Sequence, residues 1–113
     1  MGQKVITPWG WWKVLSQKPG YKLKALYINA GHRTSLQRHK YRTERWQVIC
    51  GVGSVYVKDR TSRVRIGDVM TIPRGIVHRI SAAPSSNLLI LETQLGRCRE
   101  NDIKRLEDDY GRA

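Results

Sequence analysis

The chain of 113 residues contains three histidines, His32, His39 and His78. Two of them stand at spacings that suit metal chemistry. His39 is followed by Tyr41 two residues on and Glu44 five residues on, and six residues separate Glu44 from Gly51. Farther along, Gly67, Pro73, Gly75 and His78 read as G-x5-P-x-G-x2-H. Imidazole and carboxylate together form a donor set of intermediate softness, suited to Zn, Mn, Fe, Co or Ni as a divalent ion. On an extended strand, residues two apart share a face, so Gln37, His39 and Tyr41 are expected to project together. A turn then returns Glu44 on the next strand, and a hairpin beyond Gly75 delivers His78 from the far side. The bland alternative is a set of buried polar residues that partner one another without an ion.

Bringing such groups together takes a scaffold of short strands. Eight segments qualify by β-branched or alternating character between turn residues: 21–28, 34–39, 45–50, 54–57, 63–66, 69–72, 77–80 and 87–94. Their number and spacing predict an all-β sandwich or barrel. The alternation Arg63-Val64-Arg65-Ile66 is expected to bury both aliphatic residues, and Gly51-Val52-Gly53 to form a hairpin connection. Near the start, Trp9, Trp11 and Trp12 surround Gly10 as a core anchor or dimer contact. In the tail, Ile103, Leu106 and Tyr110 recur three and four residues apart, predicting a short helix or an ordered strap on the barrel. Length and composition fit one domain, residues 1–113.

The net charge is +12, and it is uneven: residues 1–91 carry 16 Lys/Arg against three acids, residues 92–113 five against six. Such a field steers phosphorylated metabolites and other polyanions toward the protein without specifying which. No nucleic-acid reading motif accompanies the basic residues, so nucleic acid ranks last among partners. No apolar run of about 18 residues and no signal segment is present, which predicts a cytoplasmic protein with no membrane partner. The two cysteines, Cys50 and Cys98, lack metal-knuckle spacing and are expected as free thiols, with Cys50 in the core.

The two strings around His39 and His78 resemble the paired signatures of cupins, G-x5-H-x-H-x3-4-E-x6-G and G-x5-P-x-G-x2-H-x3-N. The second matches through His78, with Ala82 in place of the asparagine. In the first, seven residues separate Gly31 from His39, two separate Tyr41 from Glu44, and Tyr41 replaces the second histidine. Further segments narrow the likeness: Pro8-Trp9-Gly10, Gly20 to Lys24, Ser35-Leu36-Gln37, His39 to Trp46, Ile72 to Gly75, Glu92-Thr93-Gln94 and the tail from Asp102 to Arg112. From about Val5 to Arg112 the chain resembles the type II mannose-6-phosphate isomerases, here expected as a stand-alone version of a domain often found behind a nucleotidyltransferase.

The resemblance implies a cupin jelly roll, or double-stranded β-helix, and metal-dependent interconversion of mannose 6-phosphate and fructose 6-phosphate or a related pair. It carries over His39, Glu44 and His78 as metal ligands, with Tyr41 in the fourth position. Lys24 and Gln37 become candidates for proton transfer or contacts to sugar hydroxyls, and the Tyr41 hydroxyl for a proton shuttle. Arg42 and Arg79 become candidates for holding a phosphate, to which guanidinium groups bond bidentately. Cupins of this kind often form homodimers. Two other readings stay open: a sugar-binding or regulatory cupin without catalysis, and a non-haem iron oxygenase built on the same two histidines and carboxylate.

Overall fold

Between Tyr21 and Ile28 every even-numbered residue is buried and every odd one partly exposed, and this two-residue period organises the molecule. The computed structural model describes residues 2–113. Its strands are β1 (Lys4–Thr7), β2 (Gly10–Lys18), β3 (Tyr21–Ile28), β4 (Leu36–Arg38), β5 (Arg42–Cys50), β6 (Gly53–Val57), β7 (Arg60–Val64), β8 (Val69–Ile72), β9 (His78–Ala82), β10 (Leu88–Gly96) and β11 (Lys104–Glu107). One sheet has the order β1-β2-β3-β10-β5-β8 and the other β11-β4-β9-β6-β7. All pairings are antiparallel, and the inner faces of both sheets meet in one core, which is the expected jelly roll. No helix long and apolar enough to cross a membrane occurs among the described residues.

The register across β3, β10 and β5 stacks the inner side chains in levels. Leu26, Ile90 and Val48 form one level; Lys24, Glu92 and Trp46 the next; Lys22, Gln94 and Glu44 the one beyond. β9 makes the same change, from Ala82 and Ile80 to His78, all buried. The barrel interior is therefore divided into an apolar half and a polar half. Burying each large aliphatic side chain of the apolar half contributes about 1.5–3 kcal/mol, which offsets the cost of enclosing the charged half.

Several expectations need correction. The tail forms no helix; it is a strap in which β11 pairs with β4. Trp11 and Trp12 lie on β2, an outer strand pair that the sequence pattern did not announce; Trp9 is a core anchor, and Trp11 stacks on Tyr27 with ring centroids 5.3 Å apart. Ile66 is exposed because β7 ends at Val64 and the chain turns, the Asp68 carboxylate accepting the Arg65 N–H. Cys50 is exposed rather than in the core, since the ladder register slips between Leu89 and Ile90, opposite the end of β5. Both cysteines are free.

Gly51 and Gly53 do not close a hairpin, because β5 and β6 belong to different sheets. They carry the chain between the sheets under steric constraint: a Cβ at Gly51 would lie 1.9 Å from the Asn87 carbonyl oxygen and one at Gly53 2.2 Å from that of Ser81. Gly51→Ala should lower unfolding free energy by about 3 kcal/mol or more, as clash adds to strain at positive φ. Gly20→Ala, at a similar φ but with nothing within 4 Å of the added carbon, should cost only about 1 kcal/mol. Urea denaturation of both variants tests this, and equal losses would show that the crossover is not sterically fixed.

Candidate metal centre

His39 follows the end of β4, Glu44 is the third residue of β5, and His78 opens β9. Their ligating atoms lie within 4.8 Å of one another, and all three residues are buried. The Nδ1 of His39 is 2.6 Å from the carbonyl of Asp102, and that of His78 is 2.9 Å from the carbonyl of Ile76. A carbonyl can only accept, so each Nδ1 carries the proton and each Nε2 presents a lone pair inward. The Asp102 carboxylate also accepts the N–H groups of Lys40 and Tyr41, fixing the chain that bears His39.

The His78 Nε2 is buried without a hydrogen-bond partner, 3.6 Å from Glu44 Oε1. The His39 Nε2 lies 3.2 Å from Glu44 Oε2. Two acceptor atoms that close need a shared cation, and the Arg42 guanidinium supplies it, donating from Nε to Glu44 Oε2 at 2.8 Å and from Nη2 to His39 Nε2 at 3.2 Å. Two neutral imidazoles, one carboxylate and an orphaned lone pair fit a divalent ion of the Zn, Mn, Fe, Co or Ni type. Any such ion would compete with Arg42 for two of the three donors.

A cavity beside the cluster is lined by Gln37, His39, Arg42, Trp46, Lys24, Glu92 and Glu100, among others. The Trp46 indole donates to both Glu44 Oε1 and Glu92 Oε2, at 3.2 and 3.1 Å. Gln94 donates to Glu92 Oε1 at 2.6 Å. Burial, reinforced by the Glu44 charge, pushes the Glu92 carboxyl up to about 7. Burial, aided by the charges of Arg42 and His78, lowers His39 to about 4, and burial lowers His78 too.

Of the residues singled out from sequence, Gln37, Lys24 and Arg42 line the cavity with His39. Tyr41 does not: it is 40% exposed, and its ring lies beside the cations of Lys40 and Arg97. The expected common face of Gln37, His39 and Tyr41 fails because β4 stops at Arg38. Arg79 neighbours His78 on β9 and so takes the opposite face. There it donates from Nε to the Thr34 carbonyl at 2.9 Å and approaches Glu107 in the strap, away from the cavity.

Sequence reasoning gave no role to Lys22, Glu92, Trp46 or Glu100. The signal was present: Lys22 and Lys24 share the phase of Leu26 and Ile28 in β3, as Glu92 and Gln94 share that of Leu88 and Ile90 in β10. Charged residues in the inward phase of a strand mark a polar interior.

Because His39 is lowered to about 4 by the fold and titrates near 6.5 when unfolded, the unfolded state binds more protons at this residue between these values. In chelator-treated protein, this contribution to stability should be full above about pH 6.5 and be lost as pH drops toward 4, while Glu92, raised to about 7, contributes with the opposite sign. His39→Asn should remove this contribution, so that stability in urea denaturation curves rises less, or falls more, with pH across that range; an unchanged pH dependence would place the titration elsewhere.

The family described as "Mannose-6-phosphate isomerase C-terminal" matches residues 1–108. The alginate biosynthesis protein AlgA of Pseudomonas aeruginosa is 36% identical over 111 residues, covering 97% of this chain and 23% of that protein. A mannose-1-phosphate guanylyltransferase of Klebsiella pneumoniae is 31% identical over 112 residues, 98% of this chain and 24% of that protein. The chain thus spans about a quarter of the length of these relatives. Among solved structures, KdgF from Halomonas sp. matches at TM-score 0.75 with 18% identity, over 86% of each chain. The Schizosaccharomyces pombe Cnp3 cupin domain matches at 0.73 with 18% identity, over 76% of this chain and 64% of that one. With the fold that of cupins and the family match running nearly end to end, the chain belongs to the mannose-6-phosphate isomerase C-terminal family.

Proposed function

We propose that this chain is a metal-dependent aldose–ketose isomerase acting on a hexose phosphate, the mannose 6-phosphate and fructose 6-phosphate pair being the first to test. The observation that carries the reading is the convergence of His39, Glu44 and the unpartnered Nε2 of His78 beside a cavity holding Lys24 and Glu92. Gln37 is the natural further donor: it precedes His39 by two residues, pairs with His78 in the sheet and lines the cavity, whereas Tyr41 is outside it. Bound there, a divalent ion supplies polarisation of the sugar carbonyl and its neighbouring hydroxyl.

The chain's own groups account for the proton transfer. Isomerisation takes a proton from C2 of the open-chain aldose and returns one to C1, while a hydroxyl proton moves between the two oxygens. Glu92 is suited to the carbon proton because a carboxyl poised near 7 is partly ionised at working pH and gives the proton back readily. Trp46 and Gln94 fix its orientation through the bonds to both oxygens. Lys24, facing Glu92 in the register, donates to sugar oxygens. The enclosing Trp12 and Trp46 keep water from the transfer.

A second reading rests on Arg42. Its guanidinium already neutralises Glu44 and caps His39, as a sugar-binding domain that works without metal would require. Metal analysis of the purified protein and a coupled isomerase assay with Zn, Mn or Co separate the two. The isomerase reading expects bound metal and turnover, with Glu92→Gln losing kcat at least ~100-fold while keeping its metal, and Tyr41→Phe retaining near-full activity. Hexose phosphate binding without metal or turnover would establish the second reading instead.

A further inference from the structure

We infer that Lys24, in the cavity wall, and Lys22 beside it form an anion-binding site, and that Glu100 occupies it as an internal stand-in for the phosphate of the ligand. The identity of the ligand rests on the hexose phosphate reading above; the anion site does not.

Both lysines lie on the inner face of β3, with side chains 7% and 5% exposed. Enclosed ammonium groups are costly unless paired. A single carboxylate serves both: Glu100 Oε2 lies 2.9 Å from Lys22 Nζ, and Oε1 lies 2.7 Å from Lys24 Nζ. One negative charge thus bridges two positive ones. Opposite Lys22 in the ladder stands the neutral Gln94. Arg105 of β11 lines the same cavity, and its Nε is buried without a hydrogen-bond partner. The two ammonium charges therefore exceed the single charge of Glu100. A phosphate monoester brings three acceptor oxygens and close to two negative charges, which suits two ammonium groups better than Glu100 does.

The stand-in is also placed to leave. The Glu100 side chain is 43% exposed, and it sits in the connection between β10 and β11, outside either strand. It reaches the lysines from the solvent side, so a side-chain rotation releases it without breaking a sheet pairing. The Trp12 ring, with Lys24 Nζ 3.8 Å from its centroid, walls the site and strengthens charge pairing by excluding water. The arginines that sequence reasoning offered for the phosphate are otherwise engaged: Arg42 with Glu44 and His39, Arg79 on the far face of β9.

The test is calorimetric titration of inorganic phosphate into chelator-treated full-length chain and its Glu100→Gln variant, with acetate as the comparison anion. Removing the competing charge should tighten phosphate binding at least tenfold, acetate should gain less, and adding Lys22→Gln should abolish the gain. In the unmodified chain, saturating phosphate should speed amide exchange in residues 97–103 as Glu100 is released, a readout that needs no variant. Equal phosphate affinity with and without Glu100, or a gain that survives Lys22→Gln, overturns the proposal, as does unchanged exchange. Because neither sugar nor metal is present, that failure leaves the isomerase reading standing; tightened phosphate binding in a protein with no isomerase activity sinks that reading and keeps the anion site.

Discussion

Glu44 is a nearly solvent-free carboxylate, 1% exposed, and a charge in that position survives only if every neighbour is arranged to hold it. Arg42 donates to one oxygen, Trp46 to the other, and the lone pairs of His39 and His78 face it from across the barrel. The consequences spread outward from there. Trp46 is drawn into a bridging position between Glu44 and Glu92, and burial, reinforced by the Glu44 charge, holds the Glu92 carboxyl up near 7. Gln94 then orients Glu92, and Asp102 in the connection to β11 orients His39. A ligand field, a titrating acid and a docked loop thus follow from one buried anion.

That arrangement is supported by the apolar half of the barrel. The switch between aliphatic and charged side chains occurs at matching levels of β3, β5, β9 and β10, so the polar groups have one another as neighbours. A scattered set of the same residues would leave isolated charges in a hydrocarbon interior. Segregation lets the chain combine a packed floor with a reactive upper half, and the tryptophan at the boundary belongs to both, its ring in the core and its N–H in the network.

Part of this was legible because certain residues stand at a spacing that resembles the cupin signatures. The spacing Gly67, Pro73, Gly75, His78 fixes a turn geometry, and His78 lands where that geometry puts it. His39 and Glu44 were found for the same reason. Tyr41 misled because its role depended on a strand continuing past Arg38, a length no local pattern encodes. Arg79 misled because a long cation looks alike in sequence on either face of a strand, and only its neighbour His78 reveals which face is inward. Lys22 was hard to see because alternating lysine reads as a solvated face, and Lys24 entered only through the family resemblance. Their inward direction became evident once Leu26 and Ile28 were known to share it. The crossover at Gly51 and Gly53 resembled a hairpin because glycine signals a tight path without saying which strand lies beyond it.

The residues that complete the site come from opposite ends of the chain: the bond from His39 to Asp102 closes a loop of 63 positions, and those from Lys22 and Lys24 to Glu100 close loops of 78 and 76. Contacts of such long range form late, since loop entropy must be lost before they return any stabilisation. The barrel floor, in which Ile90 of β10 joins Leu26 of β3 to Val48 of β5, can therefore assemble while the His39 ring still lacks its partner in the tail. The His39 ring is oriented only once the segment around Asp102 has docked. The centre is a product of folding and cannot serve as its nucleus, so a nascent chain has no finished site in which to trap the wrong metal.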